Sequence, residues 1–356
     1  MACSKQGCGV NLAPTSSSEQ HRAGSRHAGS RQQPETRTMK IVFLDRDTIG
    51  PGIPIRRPGF RHEWVEYGKT APEQVVERLR GAEIAITNKV RLKRAALAEL
   101  PELRMIAVAA TGVDIIDLDA CRERQIVVSN VRGYATNTVP EHTFALILAL
   151  MRNLAQYRAE VLDGRWQREG QFCFFNRPIR DLAGATLGVI GCGSIGQSVG
   201  RIGLAFGMRV LFHDRYVEQA PEGTALVDLE PLLRQADVLT CHCPLTPETK
   251  GLIGRDQLRL MKPHAILVNT ARGGIVDEMA LAAAIEAGSI GGAAIDVFEQ
   301  EPPDAAHRLM QLAEQHHVIV TPHIAWASQG AMQALCDQVI DAIEAYQQGT
   351  PINTVT

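Results

Sequence analysis

Leu187-Gly188-Val189-Ile190-Gly191-Cys192-Gly193-Ser194-Ile195-Gly196 reads as a short apolar strand that runs directly into a glycine-rich turn, followed by a helix to about Phe206. The three glycines of the turn permit a tight bend and close approach of a pyrophosphate to the backbone, and the helix N-terminus supplies amide donors. Glycine spacing alone is weak evidence; the strand before it and the helix after it predict a dinucleotide cradle at Gly191, Gly193, Ser194, Ile195 and Gly196. Roughly twenty residues further on, Asp214 closes the next apolar run, where a carboxylate accepts hydrogen bonds from ribose hydroxyls and repels a 2′-phosphate. Asp214 therefore predicts NAD, while the adjacent Arg215 is the one feature that would attract the phosphate of NADP. Cys243, in Cys243-Pro244 after another apolar run, is expected to line the same cofactor site. Cys241-His242-Cys243 has no second ligand pair at suitable spacing, so no metal is expected.

Outward from this turn, a regular alternation appears. Leu187–Ile190, Arg209–His213, Val238–Cys241, Ala265–Asn269, Ala293–Asp296 and Val318–Thr321 read as strands separated by helical patterns. Upstream, Ile41–Leu44, Ile84–Thr87, Met105–Ala109 and Ile126–Ser129 read as strands, with helices over 72–80, 92–99 and 116–124. Strands that are apolar throughout and separated by helices indicate parallel sheets covered on both faces. The expected fold class is α/β, with two doubly wound parallel-sheet domains. A long helix between them is predicted to start at Thr138-Val139-Pro140-Glu141, with Thr138 as N-cap, and to run to about Arg158. The stretch 164–181 reads as irregular, and a last helix as spanning 328–347.

Residues 1–38 are rich in Ser, Arg, Gln and Gly and have no periodic apolar pattern, so a disordered extension is expected. Met39 stands immediately before the first strand, which suggests an extension from an upstream start; a Ser- and Arg-rich transit peptide is the alternative. The rest of the composition is ordinary for a globular chain, with 45% hydrophobic and 21% charged residues. With 37 Lys+Arg against 39 Asp+Glu, the charge balance carries no footprint for nucleic acid. No apolar run approaches the roughly 18 residues of a membrane span; the longest is Phe144–Met151. The eight cysteines are scattered with no disulfide framework, so a reducing cytoplasm is the expected compartment.

Three further motifs follow strand ends, where ligands bind in open α/β sheets. In Asn269-Thr270-Ala271-Arg272-Gly273-Gly274, the arginine offers a planar fork that matches a carboxylate. Asp296 and Glu301 lie in Asp296-Val297-Phe298-Glu299-Gln300-Glu301-Pro302, and His323 in Thr321-Pro322-His323. A histidine oriented by a carboxylate is a general acid-base pair that gives a proton to a carbonyl oxygen or takes it back. His316 and His317 precede a strand and read as loop residues.

Together these segments, from about Met39 to the end of the chain, resemble the D-isomer-specific 2-hydroxyacid dehydrogenases. The resemblance implies catalysis by Arg272, Glu301 and His323, with NAD(H) held additionally by Thr270, Ala271, Arg272 and Asp296, the last at the nicotinamide carboxamide. It implies a substrate carboxylate bound by Arg272 and by the loop carrying Thr111 and Gly112. It also implies a Rossmann NAD-binding domain (140–321) inserted into a flavodoxin-like substrate-binding domain (39–139 and 322–356), and a homodimer. Val108–Asp114, Asn130–Tyr134 and Gly164-Arg165-Trp166 with Phe172-Cys173-Phe174 look most like the glycerate dehydrogenases, which reduce hydroxypyruvate or glyoxylate with NADH. The alternatives are a phosphoglycerate-type or other D-2-hydroxyacid dehydrogenase, for which Arg132 and Lys89 are the candidate phosphoryl cations, and a non-catalytic NAD-sensing protein. Since the chain stops soon after its last helix, no serine-sensing C-terminal domain is expected. Two departures from the family pattern stand out. Gly200 replaces a frequent alanine and is expected to loosen helix packing, and Ala325-Trp326 replaces a Gly-Gly pair and puts Trp326 within reach of His323.

Overall fold

The computed structural model describes residues 38–356 apart from His316; the extension over 1–37 lies outside the described residues. Within them, two parallel sheets form. The first has the order β2-β1-β3-β4-β5, built from β1 (Met39–Phe43), β2 (His62–Glu66), β3 (Ile84–Thr87), β4 (Met105–Val108) and β5 (Val127–Ser129). The second has the order β12-β11-β10-β9-β6-β7-β8, built from β6 (Thr186–Ile190), β7 (Arg209–His213), β8 (Ala225–Leu226), β9 (Val238–Cys241), β10 (Ile266–Asn269), β11 (Gly292–Ile295) and β12 (Val318–Val320). Both are α/β layers of the doubly wound kind. Edge strands β2 and β8 escape sequence reading. His62-Glu63-Trp64-Val65-Glu66 is charged and half exposed, and β8 is two residues long, so neither carries a buried strand's apolar run.

Alternation along each strand divides the core into two faces. In the first sheet Ile41 and Phe43 face one side with Ile84, Ile86 and Met105, where the helix Gln329–Gln347 covers them with Leu335, Val339, Ile340 and Ile343. Val42, Leu44, Ala85 and Ile106 face the other side, under Val75, Leu79, Leu97 and Cys121. The C-terminal segment returns antiparallel along β5, through Val355 N–H to Val128 O and Asn130 N–H to Asn353 O, and so covers that edge.

In the second sheet the helices Thr138–Met151 and Ser194–Ala205 cover Leu187, Val189, Val210 and Phe212. Gly200 does not loosen this packing. A Cβ there would fall 2.6 Å from Phe212 Cζ, so the fully buried phenyl ring occupies the space that an alanine methyl would need. The long helix also differs from expectation. It stops at Met151, and Asn153 adopts a left-handed conformation (φ 51°) with its side chain donating to Pro178 O, before a second helix runs from Leu154 to Leu162. Its N-cap is Asn137, and Thr138 Oγ1 instead donates to Ala325 O, tying the helix start to the segment that follows His323.

Candidate active site

The glycine turn forms where β6 ends. Gly191 has φ 99°, and a Cβ there would meet the His242 carbonyl at 2.7 Å; a Cβ at Gly196 would come within 2.0 Å of Gly191 O. These close approaches fold the turn back against the end of β9. Gly193, by contrast, has nothing within 4 Å of a built Cβ and is exposed, as is Ser194. The first turn of the helix at Ser194 thus presents amides with no intrahelical partner beside an open space, which suits a pyrophosphate. Asp214 Oδ2 accepts from Cys192 N–H at 2.8 Å and Oδ1 from Tyr216 N–H at 2.8 Å, which hold the carboxylate beside the turn. Cys243 follows β9 near Asp214, and burial pushes its thiol up to about 11. The His242 side chain is hydrogen-bonded to Thr240 Oγ1, and burial of its ring pushes it down to about 3, so it is neutral. The glycines, the open amides and the acidic residue fit the chemistry of a dinucleotide.

Asn269 shapes the arginine loop. Its side chain donates to Arg272 O and accepts from Ala271 N–H, while Thr270 Oγ1 pairs with Thr143 Oγ1 of the neighbouring helix. Gly273 lets this loop lie directly on the next one, since a Cβ there would fall 2.0 Å from Phe298 O. Arg272 Nη1 donates to Ala271 O, and the guanidinium makes no ion pair with a carboxylate among the described residues. Its Nη2 reaches across to the first sheet, lying 2.7 Å from where a Cβ of Gly112 would be. Gly112 sits in a loop secured by Thr111 Oγ1 to Val131 O and Asn130 Nδ2 to Thr111 O. The folded chain therefore brings Arg272, Thr111 and Gly112 together from opposite sheets.

His323 Nδ1 donates to Glu301 Oε2 at 2.7 Å, and Glu301 Oε1 accepts from Phe298 N–H at 3.0 Å. Burial opposes ionisation of Glu301, but the hydrogen bond and charge of His323, with Phe298 N–H and the Lys89 charge, hold its carboxyl below the usual glutamate range. His323 itself is left-handed (φ 53°), an uncommon conformation for a residue with a Cβ. Asp296 maintains it. Its buried carboxylate takes Thr321 Oγ1, Ile324 N–H and Ala325 N–H, and its carbonyl takes His323 N–H. Sequence reading expected Asp296 at the nicotinamide and missed this second task, whose only trace was its place before the Glu301 motif. Trp326 Nε1 donates to His323 O, and its ring stands edge-on to Tyr134 of the first lobe at 6.3 Å. Arg132 is turned away, its guanidinium bound to Asn130 Oδ1 and Thr354 O.

The chain's similarities agree with this geometry. The model of the D-isomer specific 2-hydroxyacid dehydrogenase NAD binding domain matches residues 144–325. A glycerate dehydrogenase of Methylorubrum extorquens is 50% identical over 319 residues, covering 89% of this chain and 99% of that protein. A hydroxypyruvate reductase of Blautia hydrogenotrophica is 33% identical over 323 residues, covering 89% and 99% respectively. Among solved structures, the D-lactate dehydrogenase of Aquifex aeolicus in complex with NAD and lactic acid has a TM-score of 0.73 and 28% identity, over 89% of this chain and 100% of that one. With half its residues shared along nearly the whole of one relative and the family's cofactor-domain model lying over its second sheet, this protein belongs to the D-isomer-specific 2-hydroxyacid dehydrogenases and is an NAD-dependent oxidoreductase.

Proposed function

We propose that this protein is a glycerate dehydrogenase of the hydroxypyruvate reductase type, reducing hydroxypyruvate to D-glycerate, or glyoxylate to glycolate, with NADH. The observation that carries this is the Glu301–His323 pair, 2.7 Å apart, together with an arginine, Arg272, that has no carboxylate partner among the described residues. Arg272 binds the substrate carboxylate through its planar fork, assisted by the backbone at Thr111 and Gly112. Glu301 occupies His323 Nδ1, which leaves Nε2 to face the substrate carbonyl. When bound at Gly191, Gly193 and Ser194, the nicotinamide cofactor would supply the hydride. His323 Nε2 gives its proton to the carbonyl oxygen as charge develops there, and Glu301 balances the imidazolium before transfer; in oxidation the proton returns. Asp296 keeps His323 aimed, and Asp214 favours NADH over NADPH.

The boundaries fit an NAD-binding domain at 140–321 within a substrate-binding domain at 39–139 and 322–356. A homodimer is supported by the exposed apolar side chains Leu162, Trp166, Phe172 and Phe175 within one stretch of chain, the two phenylalanines being 93% and 81% exposed. The test is NADH oxidation with hydroxypyruvate, glyoxylate, pyruvate and 3-phosphohydroxypyruvate, the best substrate then being repeated with NADPH. Preference for hydroxypyruvate and NADH is the expected result; no turnover of any keto acid would overturn the catalytic assignment.

A further inference from the structure

The site contains a second cation that the mechanism above does not use. Lys89 lies in the loop after β3, at the carboxyl end of the strand, on the same edge of the first sheet as Thr111 and Gly112. The loop is held rigidly. Three successive amides, of Asn88, Lys89 and Val90, converge on the Asp45 carboxylate at 2.6 to 3.2 Å, and Asp45 is only 3% exposed. Thr87 Oγ1 also brackets Val90 through its N–H and C=O. Against this fixed backbone, the Lys89 ammonium makes no hydrogen bond or ion pair with any described residue. The charges acting on it are Glu301 and Arg272 from the other lobe and Asp45 and Asp114 from its own. The side chain is exposed, and partial desolvation lowers its pKa despite Glu301. An ammonium with no partner among the described residues is free to donate to a hydrogen-bond acceptor delivered by a ligand.

We propose that the Lys89 ammonium is a specificity-determining group that binds the C3 hydroxyl of a 3-hydroxy-2-oxo acid. This rests on the substrate assignment above and extends it to a residue. A 2-oxo acid has one carboxylate, matched by Arg272, and one carbonyl oxygen, matched by His323; the substituent at C3 is what remains for a third donor. A neutral hydroxyl suits Lys89 better than a phosphoryl group. A dianion calls for a cluster of cations, and Arg132, the other candidate, is committed to Asn130 and Thr354. Glu301 and Asp114 already act on the Lys89 ammonium.

The experiment compares kcat/KM for hydroxypyruvate, pyruvate and 3-phosphohydroxypyruvate, with NADH, in the wild type, Lys89→Met and Lys89→Arg. Pyruvate shares the carbon skeleton and lacks only the hydroxyl. In Lys89→Met the hydroxypyruvate-to-pyruvate ratio should fall about tenfold, the typical effect of losing one hydrogen bond from a charged donor, mostly through KM, and Lys89→Arg should restore part of it. Equal losses on both substrates would overturn the proposal by moving Lys89 to the shared carboxylate or carbonyl, and an unchanged ratio would overturn it outright. A wild type that prefers 3-phosphohydroxypyruvate, with that preference lost in Lys89→Met, would reassign Lys89 to a phosphoryl group. A wild type that reduces pyruvate as well as hydroxypyruvate would refute this proposal alone, whereas one that reduces no keto acid would refute the substrate assignment beneath it. Thermal melting of each variant checks folding, and Lys89→Gln is the substitute if Lys89→Met does not fold.

Discussion

Replacing Glu301 by Gln separates orientation from charge at the acid-base pair. The glutamine carbonyl can still accept from His323 Nδ1–H, so the ring keeps its aim, but the negative charge 2.7 Å away is gone. Two unit charges at that distance attract by about 6 kcal/mol at an effective dielectric near 20. That is an upper bound here, because the His and Glu side chains are 25% and 35% exposed and solvent screens them. The difference between a hydrogen bond to a charged group and one to a neutral group, about 1–1.5 kcal/mol, is the better guide. It corresponds to a fall in kcat of roughly 5- to 13-fold. KM for the keto acid should change little, since the proposed carboxylate clamp, Arg272, is untouched. The sign of the pH dependence follows from Glu301's depressed pKa. Its charge is fully present above the ordinary glutamate range and is lost only as pH falls through the lower folded value. The gap between wild type and Glu301→Gln should therefore persist through mildly acidic pH and close only below that range. Steady-state NADH oxidation from neutral to acidic pH measures both effects. A Glu301→Gln enzyme with wild-type kcat, or one that loses only NADH affinity, would refute the acid-base assignment.

Other variants test other parts of the site. Arg272→Ala should chiefly raise KM for the keto acid and His323→Ala chiefly lower kcat, because in the proposed mechanism only the histidine acts on the moving proton; steady-state kinetics with hydroxypyruvate distinguish them. Gly196→Ala would drive a methyl to within 2.0 Å of Gly191 O and should destabilise by about 1–3 kcal/mol while abolishing NADH binding, read by urea unfolding and fluorescence titration. Asp237 is only 17% exposed and accepts from Thr186 N–H, Lys262 Nζ and His264 Nε2, so Asp237→Ala should cost about 1–3 kcal/mol in urea unfolding. Burial opposes its ionisation, but Lys262 and its other partners hold its pKa low, so that difference should shrink as pH falls through the folded value.

Much of this protein was legible before folding, for definite reasons. Parallel strands covered on both faces are buried throughout, so β3 and β9 stand out as uninterrupted runs with unambiguous ends. The glycine turn and the Arg272, Glu301 and His323 motifs were visible because each follows a strand end within a few residues. Where local sequence and tertiary contact competed, the sequence was silent. It did not mark the charged edge strand β2, the break at Asn153 set by Pro178 O, or Thr138's bond to Ala325 in place of a cap.

Sequence by itself determined the layered α/β class, the dinucleotide turn and the residue types of the proposed acid-base pair. These depend on periodicity and short spacing, which are local. Tertiary structure alone decided which groups meet. Arg272 and Gly112 are far apart in the chain, as are Asp45 and the loop of Lys89, and Asp296 and the His323 turn. Those distances are set by how two sheets and their connecting loops pack, where one glycine's missing Cβ or one buried carboxylate fixes a loop that no local pattern specifies.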